Sequence, residues 1–214
     1  MAIALDATST ANTTGTSSTW AHTCSGNNRI LFVGVGTDFS GDVITGVTYN
    51  GVAMTEITRQ ATIGTNNYFA YLYYLINPAS GANNIVVSAS GSYNLRTDAV
   101  SYTGALQSGQ PDAFNKATSN TTDQAVSVTV VAINSWIVAF GQSKGAIPAV
   151  GTGLTSRATE GINCRIGDSN APLSVGVNTV HFTRASADDI GVIAASFSPA
   201  PEVSSVSNSY SYFI

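Results

Sequence analysis

Residues 67–90 read NYFAYLYYLINPASGANNIVVSAS, and this stretch decides the fold. Tyr68, Ala70, Leu72, Tyr74 and Ile76 share one side, while Phe69, Tyr71, Tyr73 and Leu75 share the other. A period of two, carried by aromatic and branched side chains, predicts a strand. Pro78 and Gly81 then mark a turn, since proline lacks a backbone donor and glycine accepts positive φ. A valine-rich strand resumes over residues 85–89.

The same reading extends outward. Residues 29–36, RILFVGVG, form a short apolar run between polar turns, which predicts a strand buried on both faces. In ITGVTYNGVAMTEIT, residues 44–58, Asn50-Gly51 separates two β-rich arms. Both residues tolerate positive φ, so a type I′ hairpin is expected, with Val47 and Tyr49 leading in and Val52, Met54 and Glu56 following. Residues 98–104, DAVSYTG, add another strand. The second half repeats the rhythm at residues 125–132, 136–141, 161–167, 177–183 and 189–198. Roughly ten to twelve short strands with frequent turns predict an antiparallel two-sheet β-sandwich. Its expected core is Ile30, Phe32, Val47, Leu72, Val86, Val128, Val130, Trp136, Val138, Phe182 and Ile193. Residues 105–124 are polar and weakly patterned, and read as a long crossover loop between the sheets.

Residues 1–198 thus read as one sandwich domain. Pro199-Ala200-Pro201 breaks the pattern, and residues 199–214 read as a tail ending in Tyr210, Tyr212, Phe213 and Ile214. Large apolar groups left free invite association. The tail is therefore expected either to dock as a strand on a neighbouring subunit or particle, or to fold back on its own sandwich as an edge strand.

Composition narrows the function. The chain has 214 residues, 9% of them charged, and a net charge of −4. With 8 basic residues against 12 acidic ones, it carries no electrostatic footprint for nucleic acid. No run of eighteen apolar residues suggests a membrane span. Ser and Thr number 26 and 25, close to a quarter of the chain. Cys24 and Cys164 fit no metal spacing and read either as a pair or, by preference, as two buried free thiols. No basic segment followed by an apolar run opens the chain, so it is expected to be kept in a cytoplasm or to be a mature form behind a new Met.

TWAHTCSGNNRILFVGVG, VTYNGVAMTEI, YLYYLINPASGANNIVVSASGS and AVSYTGA follow one another across residues 18–104. In that order they resemble jelly-roll-like β-sandwich modules of phage structural proteins and of large secreted bacterial proteins. The matching positions are turn glycines and core residues. The resemblance therefore implies a fold and a structural or lectin-type role, and transfers no binding residues.

Chemistry-bearing groups are sparse. Trp20, His22 and Cys24 share a strand face, which brings a Cys and a His near each other with no orienting acid. His181 reads as a hydrogen-bonded sheet histidine. Asp38 and Asp42, and separately Asp188-Asp189, place carboxylates in loops where calcium could bind, although Asp is also an ordinary turn residue. Glu56 is the one cleft-placed candidate for glycosidase chemistry, and no partner is evident. Tyr71 and Tyr73 could present ring faces to a sugar; the plainer reading is half-buried sheet tyrosines. No catalytic residue, cofactor or metal is assigned. The expectation is a non-enzymatic structural protein of a bacteriophage particle, located in the virion and partnered by its own copies and other virion proteins. The alternative is a secreted or surface-displayed adhesin or carbohydrate-binding module, with glycans as partners.

Overall fold

The computed structural model describes residues 1–63, 68–145 and 147–202. Among these residues the secondary structure is all strand, with no helix. The first half contains β1 (Ala4–Cys24), β2 (Ile30–Thr37), β3 (Ile44–Tyr49), β4 (Val52–Ala53), β5 (Thr55–Ala61), β6 (Phe69–Ile76) and β7 (Gly81–Thr103). The second contains β8 (Ala113–Ser119), β9 (Asp123–Val130), β10 (Trp136–Ser143), β11 (Ala149–Val150), β12 (Thr155–Ala158), β13 (Cys164–Asp168), β14 (Gly176–Thr183) and β15 (Ile190–Phe197).

Several expectations hold. β2 is buried throughout and lies between β6 and β7. Asn50 and Gly51 have φ of 50° and 75°, as a type I′ turn requires. β6 sends Ala70 and Leu72 into one core and Tyr71 and Tyr73 into another. Both cysteines are buried free thiols.

Other expectations are corrected. Residues 85–89 and 98–104 are not separate strands but parts of the 23-residue β7. It stays extended through polar residues because β1 pairs along nearly all of it. The Ser/Thr-rich start of the chain, with no strand expected before residue 18, forms that 21-residue β1. Threonine is β-branched and suits an extended backbone even where it buries little apolar surface. The supposed crossover loop at 105–124 contains β8, which pairs with β15. Val86 faces outward, and its neighbours Ile85 and Val87 fill the core instead.

The sandwich is also duplicated. The second half forms a five-stranded sheet, β12-β13-β10-β15-β8, and a three-stranded sheet, β11-β14-β9. The first half has the same connectivity in one strongly bent sheet. The end of β7, residues 95–103, pairs with β2, and its start, residues 85–89, pairs with β3. β1 follows both parts. Thus β5-β6-β2-β7-β1 corresponds to β12-β13-β10-β15-β8, and β3-β7-β1 to β11-β14-β9. Ile30 opposite Tyr102 matches Trp136 opposite Phe197. Cys24 opposite Gly81 matches Val130 opposite Gly176.

The two units pack through their five-stranded faces. Ile30, Phe32, Leu72 and Tyr102 meet Trp136, Val138, Phe140 and Phe197 there. Burying a large apolar side chain fully contributes about 1.5–3 kcal/mol, and this shared core explains why the chain reads as one domain. Gly34 is the counterpart of Phe140, and the two touch: a Cβ on Gly34 would lie 2.2 Å from the Phe140 ring. Gly36, the counterpart of Gln142, likewise faces Gln142. Contacts between counterparts mark a local two-fold relation, as in an isologous dimer joined into one chain. Each unit keeps an inner core of its own, around Val33, Tyr49, Tyr71 and Ile85 in the first and Val128, Ile137, Phe182 and Val192 in the second.

Residues 199–200 still belong to the domain. The Ala200 amide donates to the Gly104 carbonyl at 2.7 Å, and the Met1 ammonium donates to the Ala200 carbonyl at 2.8 Å. Tyr210, Tyr212, Phe213 and Ile214 lie outside the described residues.

Candidate functional site

Tyr71 and Tyr73 do not form an open aromatic face. They are 0% and 4% exposed, packed inside the first unit. The Tyr71 hydroxyl donates to Asp42 at 3.1 Å, and the Tyr73 hydroxyl donates to Glu56 at 3.0 Å. Burial, and for Tyr73 also the Glu56 carboxylate, pushes both phenols above their ordinary range. Arg59 pairs with both Asp42 and Glu56. Asp42, nominated for calcium, and Glu56, nominated for glycoside chemistry, are therefore held by tyrosines and an arginine. Asp38 accepts from Asn94 at 2.6 Å and from Arg96 at 3.4 Å. Asp188 accepts from the Gly145 amide at 2.6 Å. Among the described residues no three His, Cys, Asp or Glu gather as a metal site would need.

His22 is buried. Its Nδ1 lies 2.8 Å from the Ser9 hydroxyl, which also accepts from the Trp20 indole at 2.9 Å. Burial pushes the imidazole down to about 4, with Asp6 acting weakly the other way. The Cys24 thiol is pushed up, chiefly by burial. A neutral imidazole beside a protonated thiol supplies no activated nucleophile near neutral pH. His181 meets Asp123 at 2.9 Å on the outer face of the three-stranded sheet.

A second polar group, which sequence reasoning missed, lies between the units. Asp98 is fully buried where its counterpart in β15 is Ile193, and neither of its oxygens makes a hydrogen bond. Burial pushes it up to about 8; the Glu160 carboxylate adds to this, while Arg165 opposes it. Beside it the Cys164 thiol donates to Gln142 Oε1. Glu160 Oε1 accepts the amides of Ile162, Asn163 and Cys164 at 2.9–3.1 Å. The one sequence clue is Asp98 inside an otherwise apolar alternation, and Asp at a strand start is more often a turn residue.

The open features lie where the two units differ. At the loop end, the first unit exposes Ser25, Asn27, Ser80 and Ala82. Their counterparts in the second unit are Val131, Ile133, Val175 and Val177, which are 57%, 69%, 62% and 72% exposed. Four large apolar side chains therefore face solvent where the sister unit has three polar residues and an alanine. Ile133 also lines a cavity of about 590 Å³ with Ile3, Leu106, Trp136, Pro172 and Pro201.

No family model, curated protein or solved structure matches the chain. No described helix is long and apolar enough to cross a membrane.

Proposed function

We propose that the chain is a non-enzymatic structural protein of a bacteriophage particle, a decoration, fibre or other virion-surface component that works by assembling. The observation that carries this reading is the valine end of the second unit. Exposed apolar groups cost solubility and persist where a partner covers them. In this chain they replace Ser25, Asn27, Ser80 and Ala82 of the first unit, three of them polar and all of them smaller or less apolar than the residues that replace them. The resemblance of residues 18–104 to modules of phage structural proteins supplies the setting, and a Ser/Thr-rich β surface with few charges suits it. The glycan-binding alternative is less well supported, because its candidate rings at Tyr71 and Tyr73 are buried.

The test is mass spectrometry of purified phage particles released by cells that carry the gene. The chain should be an abundant particle component. A chain with Val175→Asp and Val177→Asp should fold, with unchanged circular dichroism, and fail to enter particles. Recovery of the wild-type chain solely in the particle-free fraction overturns the reading.

A further inference from the structure

We propose that the outer edge of β1 is a joint between two copies of this chain, β1 pairing antiparallel with β1 of the second copy. The inference concerns how copies join, and goes beyond the particle reading above.

β1 runs for 21 residues and, among the described residues, pairs with β7 alone. Proteins guard such edges by keeping them short, by placing lysine or proline on them, or by covering them. The second unit shows what a guarded edge looks like in this fold. The counterpart of the first part of β1 is β8, only 7 residues long and followed by a turn. It carries Lys116, whose Nζ donates to the Arg59 carbonyl at 2.9 Å, and Asn115, whose Nδ2 donates to the Ser127 carbonyl at 2.8 Å. β1 is three times as long, and the tie from its regular run to the other unit is Asn12, whose Nδ2 donates to Glu160 Oε2 at 3.3 Å. The strand contains no Lys, Arg, Glu or Pro. Its one Asp, Asp6, sits near one end and accepts from the Ser25 amide and the Ser101 hydroxyl, each at 2.8 Å.

The occupant follows from the edge itself. Register shifts fall between Leu5 and Ala7 and between Gly15 and Ser17, so residues 7–15 form a regular run. A two-fold axis through Ala11 sets Thr8 opposite Thr14, Ser9 opposite Thr13 and Thr10 opposite Asn12 of the second copy. Every pair is small or uncharged and polar, so no paired strand residues set like charges opposite each other, and Thr/Ser cross-strand pairs are favourable. The Glu160 carboxylate beside Asn12 is already bonded to the amides of Ile162, Asn163 and Cys164. Such a joint is self-complementary and closes at two copies.

Light scattering after size exclusion on the full chain reads the outcome. The wild type should have twice the 22.0 kDa chain mass. Thr8→Lys with Thr14→Lys sets lysines opposite each other across the axis and should give the single-chain mass with unchanged circular dichroism. Thr8→Glu with Thr14→Glu should do the same, and an equal mixture of the two variants should restore the doubled mass. Ala11→Cys should form an intermolecular disulfide on mild oxidation, a readout that does not depend on the charged variants folding. A wild type of single-chain mass overturns the proposal. So does a doubled mass that survives both charge variants, or one abolished instead by Tyr212→Ser with Phe213→Ser, which would make the tail the joint. Absence of the chain from phage particles would sink the virion reading and leave these outcomes unchanged.

Discussion

The loop ends of the two units solve one problem in two ways. In the first unit Arg29 donates to the Pro78 carbonyl at 2.8 Å, to the Gly26 carbonyl at 2.5 Å and to Asn77 at 3.2 Å, tying its loops together. At the same place the second unit has Ser135, which reaches only inward, to the Ala132 carbonyl at 2.8 Å and toward Ser198. One end is closed by a charge-assisted clamp. The other is left with a cavity and four exposed apolar residues. Since topology and register are shared, the difference belongs to the side chains, and the fold alone does not demand it. That is the physical basis for the proposal that the second unit's end, and not the sandwich as such, serves assembly.

The largest effect is expected where counterparts touch. Phe140→Ala should cost about 3–5 kcal/mol in urea unfolding, the range for a large core aromatic. Gly34→Ala alone forces a methyl into the Phe140 ring and should cost about 1–3 kcal/mol by overpacking. In the Phe140→Ala background the same glycine change should cost almost nothing, because the methyl enters vacated space. A coupling energy near zero between the two sites would break the idea that they meet on the local two-fold axis.

Alternation made much of the architecture legible. β2, β6, β10, β14 and β15 follow from period two and apolar content, and the Asn50-Gly51 hairpin follows from turn chemistry. The repeated rhythm of the halves was visible as rhythm alone. The duplication becomes clear only through register, since it rests on paired positions such as Ile30 with Trp136 rather than on matching residue types. β1 was hidden because Ser and Thr report weakly on burial, and a strand supported by one neighbour needs little apolar content of its own. β7 read as two strands because Ser90-Gly91-Ser92 looks like a turn when β1 is not in view. The site was the least legible part. Whether Val177 points to solvent depends on which sheet covers it, and that is a tertiary fact.

An intermediate effect should come from Asp98, which the second unit replaces with Ile193. Its folded pKa of about 8 lies above the unfolded value of 3.8. The folded state therefore keeps a proton that the unfolded chain releases. Stability from this group is fully present below about pH 4 and is lost as pH rises toward 8. Asp98→Asn mimics the protonated form across that range. The variant should be near wild type at pH 4.5 and melt several degrees higher at pH 9, a gain on the order of 1–3 kcal/mol. Equal melting shifts at both pH values would show that Asp98 is ionised, and paired, throughout.

The smallest effect tests the likeness itself. Gly81 and Gly176 both have positive φ, 92° and 119°, and each is followed two residues later by an asparagine. Asn83 Nδ2 donates to the carbonyls of Ser80 and Gly81, both at 3.3 Å. Asn178 Nδ2 donates to those of Ser174 and Gly176, both at 3.0 Å. The two units thus hold the turn into their seventh strand with the same amide. Removing either amide should cost about 0.5–1.5 kcal/mol, the usual net value of such a bond. Asn83→Ala should cost slightly more than Asn178→Ala for its geometry, because Asn83 also donates at 3.3 Å to the buried Tyr49 hydroxyl. That hydroxyl already spends its proton on nearby carbonyls, so the substitution takes a donor from it. Aspartate separates hydrogen bonding from packing. It has nearly the same shape but offers acceptors to two carbonyl oxygens, so Asn83→Asp and Asn178→Asp should each be worse than alanine. If aspartate equals or exceeds alanine in stability at one site and not at the other, the turns are held by different forces, and the correspondence between the units ends at their backbones.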